Sequence, residues 1–154
     1  MNCFERLSDK AVTDLELSVL ENKIKFALPE DYKLFLKSQN GIKVNKEYIC
    51  SFPIKSCSEK GDVLQSLFCI DQELEQYSID HWLNFYSDEI RKKGTYLMIP
   101  IGISAFGSVI FLKRDGKIIL ADFSLNFKSS FPFRCTYNIA NSFSEFIDSL
   151  SFEK

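Results

Sequence analysis

Histidine is nearly missing from this 154-residue chain, with His81 the only one. A metal site built around it would therefore have to recruit distant cysteines or carboxylates. The five cysteines, Cys3, Cys50, Cys57, Cys69 and Cys135, are odd in number, scattered, and contain no C-x-x-C pair. That spacing argues against a disulfide framework and a zinc site, and predicts reduced, mostly buried thiols. Long apolar runs are missing too: nothing approaches the roughly 20 residues that span a bilayer. Glu5, Arg6, Asp9 and Lys10 break up the first ten residues, so no apolar signal segment is expected there. The expectation is a cytoplasmic protein with no membrane partner.

Catalytic constellations are equally scarce. Between Gly102 and Gly107 the glycines are too far apart for a nucleophile elbow, and Gly102, Gly107 and Ser108 have phosphate-loop spacing without the lysine before the serine. Asp80 and His81 are an acid-base pair in composition only, because neighbours on a helix point about 100° apart. No catalytic residue, cofactor or metal is therefore expected, and the chain reads as not an enzyme. Net charge is −2 and the isoelectric point about 5.5. The one basic run, Arg91-Lys92-Lys93, reads as a helix C-terminus complementing its dipole, so direct nucleic-acid binding is not expected.

What the chain has in quantity is aromatic residues, fifteen Phe and six Tyr. Length and a 45% hydrophobic fraction predict one domain over 1–154 with an aromatic-rich core. Thr13-x-x-Glu16 has the residue types of a capping box ahead of the Leu17, Leu20, Ile24 stripe, so residues before it read as a loosely held lead-in. Pro29 suits the first position of a second helix carrying Tyr32, Phe35 and Leu36, which Asn40-Gly41 closes. Residues 47–54 and 63–70 read as strands, the first at an edge because of Pro53. Ile79, Trp82, Leu83, Tyr86 and Ile90 recur at helical spacing and predict a third helix over 79–91, ended by Gly94. Residues 109–112 and 117–123 flank Asp115-Gly116 as a hairpin, 131–137 adds a strand, and 142–150 forms a last amphipathic helix. The fold class is α+β: one domain with an antiparallel or mixed β-sheet and about four helices packed around it. No internal repeat or low-complexity linker interrupts it.

Within residues 17–41, Leu17, Leu20, Glu21, Ile24, Phe26, Leu28, Pro29, Tyr32, Phe35, Leu36, Asn40 and Gly41 stand at fixed offsets. Further on come Ile99-Pro100-Ile101-Gly102, Gly107 with the apolar run 109–112, and a closing helix signature over 139–146. In order and spacing these resemble the SUKH superfamily, which includes bacterial immunity proteins and fungal regulators of cell-wall synthesis. The chain departs from that pattern at Lys25, where glycine is common, at Ile42, where a second glycine often follows Gly41, and at Ser108, where an acid is often found. The resemblance implies a SUKH-like domain that binds and neutralises a cognate protein toxin, such as a nuclease or deaminase, without catalysis. Its alternative is a regulatory adaptor in cell-wall synthesis or signalling.

Residues 61–90 hold seven carboxylates and no Lys or Arg, whereas the rest of the chain carries nineteen positive against fourteen negative charges. An acidic face speeds encounter with a basic partner. On a third helix, His81, Phe85 and Asp88 lie opposite the apolar stripe, and an aromatic ringed by acids has the composition of an interface anchor. The expected partner-binding residues are Asp71, Glu73, Glu75, Asp80, His81, Phe85, Asp88 and Glu89. A merely solvated acidic face, with Phe85 covered by a loop, would carry the same sequence.

Overall fold

Local signals set the first helices. Thr13 Oγ accepts from the Glu16 N–H at 3.2 Å and the Glu16 carboxylate reaches back to the Thr13 N–H at 3.4 Å. That capping box starts α1 (Asp14–Ile24), which buries Leu17, Leu20 and Ile24. The helix stops at Lys25, whose φ of 66° is left-handed and unfavourable for a residue with a Cβ. α2 (Glu30–Ser38) follows, with Pro29 one residue earlier than expected, at the N-cap. Glu21 spans the elbow by accepting the Leu28 N–H at 2.7 Å and pairing with Lys33 at 3.6 Å, and Lys37 pairs with Asp14 across the two helices.

The computed structural model describes residues 2–55, 57–121 and 136–154, with only the backbone for 57–60. Its strands are β1 (Phe4–Arg6), β2 (Ile42–Val44), β3 (Ile49–Ile54), β4 (Cys57–Leu67), β5 (Arg91–Lys92), β6 (Thr95–Tyr96), β7 (Met98–Ser104), β8 (Val109–Lys113), β9 (Ile118–Ala121), β10 (Thr136–Ala140) and β11 (Ser151–Glu153). The main sheet runs β1-β2-β4-β7-β8-β9-β10, and β3 joins β4 to β11 beside it. Every strand pair among the described residues is antiparallel, and an isolated bridge between Cys69 and Ser78 is parallel. The Lys55 N–H donates to the Asn138 carbonyl at 3.2 Å, so the far edge at β10 curls back toward β3. With α3 (Ile79–Phe85), α4 (Ser87–Ile90) and α5 (Phe143–Asp148) added, the architecture is α+β.

Four expectations need correction. The first residues are not a loose lead-in: β1 pairs with β2, and the Arg6 guanidinium donates to the Ser38 carbonyl at 3.1 Å. Pro53 is not on an outer strand, since β3 lies between β4 and β11. It sits beyond the stretch Ile49 to Ser51 that β11 covers, so its missing N–H costs no ladder bond. The third helix breaks at Tyr86 into α3 and α4. Arg91-Lys92-Lys93 is no helix end, because Lys93 (φ 53°) and Gly94 (φ 77°) form the two-residue turn of the β5–β6 hairpin. Of the expected strand over 131–137, residues 131–135 lie outside the described residues, as does Cys135.

The core is one continuous cluster between helices and sheet, rich in aromatic rings as composition predicts. Tyr32, Phe35 and Phe143 pack ring on ring at 5.0 to 6.2 Å, and Phe52 meets Phe146 at 5.4 Å. These contacts join α2 to α5 and α5 to β3. Cys50 and Cys69 are buried free thiols, and burial pushes them up to about 12 and about 11.

Candidate partner-binding surface

After β4 the chain leaves the sheet at Phe68 and returns to it through α3. Cys69 holds the loop closed at its base: its N–H donates to the Tyr77 carbonyl at 2.8 Å and its carbonyl accepts from Ile79 at 2.9 Å. Glu75–Tyr77 forms a single 3-10 turn within that loop. α3 then buries Ile79 and Leu83, and α4 buries Ile90, as the helical spacing predicts, while Trp82 and Tyr86 are only half-buried.

A ladder of rings runs from core to solvent along this face. Trp82 stacks flat on buried Phe68 at 5.6 Å, and its indole N–H donates to the Gln76 carbonyl at 2.8 Å. Tyr86 stands edge-on to buried Phe111 at 5.8 Å, and burial pushes its phenol up to about 12. Phe85 caps the ladder, edge-on to Trp82 at 5.8 Å and to Tyr86 at 4.8 Å, and is 60% exposed. No loop among the described residues covers it. His81 packs edge-on against Trp82 at 5.5 Å and is half-buried.

The eight expected residues divide into two groups. Asp71 is only 8% exposed and belongs to the fold: Ser8 Oγ donates to it at 2.6 Å, the Glu73 N–H at 3.1 Å and Lys10 at 3.3 Å. The Ser8 hydrogen bond leads in holding its carboxyl below the usual range. Glu73 shares Lys10 at 3.4 Å. Asp80 pairs with Lys23 of α1 at 3.2 Å, and the same ammonium donates to Asn84. Glu75, Asp88 and Glu89 are exposed, and among the described residues none of them has an ion-pair partner. His81, Phe85, Glu75, Asp88 and Glu89 thus form one group, open to solvent and without an ion-pair partner among the described residues, and Asp71, Glu73 and Asp80, each holding a lysine, form the other.

Sequence reasoning missed Lys10 and Lys23, because their acidic partners lie 61 and 57 positions away and only the fold brings them together. It also missed Leu15 and Val19, exposed on α1 beside the same loop. Their signal was present: both fall off the Leu17, Leu20, Ile24 stripe.

The segment from Gly102 to Gly107 is the end of β7 and the turn into β8. Ser104 Oγ, fully buried, accepts from the Ser108 N–H at 3.1 Å, and Gly107 takes φ 88° between β7 and β8. Among the described residues no group of three His, Cys, Asp or Glu is placed to hold a metal ion, and no helix is long and apolar enough to cross a membrane.

The model of the SMI1/KNR4 family (SUKH-1) matches residues 11–149. The chain belongs to this family. Similar to it is YokK, an SPbeta prophage-derived uncharacterized protein of Bacillus subtilis (strain 168), 33% identical over 152 residues that cover 90% of this chain and 74% of that one. No solved structure matches. The SUKH-1 match takes in α1 through α5, so the ring ladder and its acidic rim lie wholly inside the family domain.

Proposed function

We propose that this SUKH-1 protein is a non-enzymatic, cytoplasmic immunity protein that neutralises a cognate toxin by protein-protein contact. Family membership over residues 11–149 is the observation that carries the reading. The exposed face is consistent with it. Phe85 is a rigid aromatic held from behind by Trp82 and Tyr86, so little side-chain freedom remains to be lost on binding. Exposed Glu75, Asp88 and Glu89 in the same stretch of chain favour a basic partner, as proteins that cleave or edit nucleic acids tend to be.

Co-expression with the toxin domain encoded in a neighbouring gene tests the reading. Wild-type protein should restore growth and co-purify with the toxin. Growth arrest despite soluble, folded protein, with no complex on size exclusion, would refute it.

A further inference from the structure

The exposed apolar residues of α1 adjoin the acidic face across a groove. Leu15 is 74% exposed and Val19 59%, and the two stand one turn apart. They line a groove of about 410 Å3 together with Leu20, Ile70, Ile79 and Asp80. A second, shallower hollow of about 300 Å3 shares Lys23, Gln72 and Asp80 with the first and leads to His81 and Asn84. One concave track thus runs from the exposed side of α1 to the helix that carries Phe85.

Charge says what this track accepts. Its lining carries the carboxylates of Glu16, Asp71, Glu75 and Asp80 against the ammoniums of Lys10 and Lys23. Both lysines are engaged, Lys10 with Asp71 and Glu73 and Lys23 with Asp80, so neither stands free to repel a cation. Those pairs neutralise Asp71 and Asp80 in turn, so the charge left in the lining is that of Glu16 and Glu75, which disfavours an acidic occupant and favours one whose apolar anchor is ringed by Lys or Arg.

We propose that the groove between α1 and α3 is the anchor pocket of the partner-binding face, taking an apolar side chain from a basic surface of the toxin while Phe85 packs beside it. This rests on the toxin-binding reading above and extends the interface from α3 onto α1.

The test measures binding of the neighbouring-gene toxin domain, in a catalytically inactivated form, to the full chain and its variants by surface plasmon resonance, with growth protection alongside. Leu15→Glu and Val19→Glu both change exposed residues, so near-wild-type melting is expected of each. Glutamate adds negative charge, so a basic partner should arrive no more slowly, and a loss of affinity then reports the apolar contact. Each variant should weaken binding at least about ten-fold, through faster dissociation. Leu34→Glu, exposed on α2 and not among the groove's lining, should bind as wild type. Wild-type affinity in both groove variants, or an equal loss in Leu34→Glu, overturns the groove and leaves the immunity reading standing. Failure of the wild-type chain itself to bind overturns that reading and the groove with it.

Discussion

Asn40 and Ile70 grip one another at both ends, the Ile70 N–H donating to Asn40 Oδ1 at 2.8 Å and Asn40 Nδ2 donating to the Ile70 carbonyl at 3.1 Å. The same Nδ2 reaches the Lys10 carbonyl at 3.1 Å, and Asn40 is only 4% exposed. One buried amide thereby fixes the N-terminal segment, the end of α2 and the start of the acidic loop. Asn40→Ala would leave an N–H and two carbonyls short of partners, at a cost of about 2–4 kcal/mol. Urea unfolding measures it, and a loss under about 1 kcal/mol would mean that water replaces the amide.

Asp71 makes the same junction sensitive to acid. Its folded pKa lies below the ordinary value of 3.8, first because Ser8 donates to the carboxylate. A depressed carboxylate contributes stability that is complete above the unfolded value and lost as pH falls through the folded one. The wild-type urea midpoint should therefore drop more steeply below about pH 4 than that of Asp71→Asn, which begins lower and has less to lose. Parallel pH profiles would remove Asp71 from the acid response.

These two junctions mark where sequence reasoning stops. The Thr13–Glu16 box, the stripes of α1 and α2, and the hairpin expected over 109–112 and 117–123, of which 122–123 lie outside the described residues, were legible because their signals lie within a few residues of their effects. β1, β2 and β11 were not, since three residues such as Phe4-Glu5-Arg6 show no alternation and become strands only against distant partners. Arg91-Lys92-Lys93-Gly94 misled because basic residues before glycine suit a helix end as well as they suit a tight turn. On the site, exposure of Phe85 followed from helical spacing, whereas burial of Asp71 depended on Ser8, 63 positions away.

Two backbone positions with positive φ should respond in opposite directions. At Gly41 φ is +78°, and an added Cβ would lie 2.7 Å from the Cys69 Cβ, an atom that cannot swing aside. Gly41→Ala should cost about 2–4 kcal/mol from strain and overlap together. Lys25 holds φ 66° with a full side chain, so Lys25→Gly should stabilise by about 0.5–1 kcal/mol. Thermal and urea midpoints of both variants check the pair. Destabilisation by Lys25→Gly would show that the unfolded chain's gain in freedom outweighs the relieved strain.

Carboxylates that already hold lysines and those that hold none should contribute differently to capture of the proposed basic toxin. Neutralising Asp71 would disturb the fold, and neutralising Asp80 would free Lys23, so neither isolates steering. Glu75→Gln, Asp88→Asn and Glu89→Gln together remove three exposed charges with no ion-pair partner among the described residues. The triple variant should keep its melting temperature, associate several-fold more slowly at low salt, and show a flatter dependence of association rate on ionic strength. Lys23→Gln should do the reverse, because Asp80 then adds its unbalanced charge to the face. Stopped-flow association from about 20 to 300 mM salt spans the range over which the screening length falls from roughly 20 to 6 Å. Identical slopes for wild type and the triple variant would leave Phe85 and the α1 groove as the whole basis of recognition.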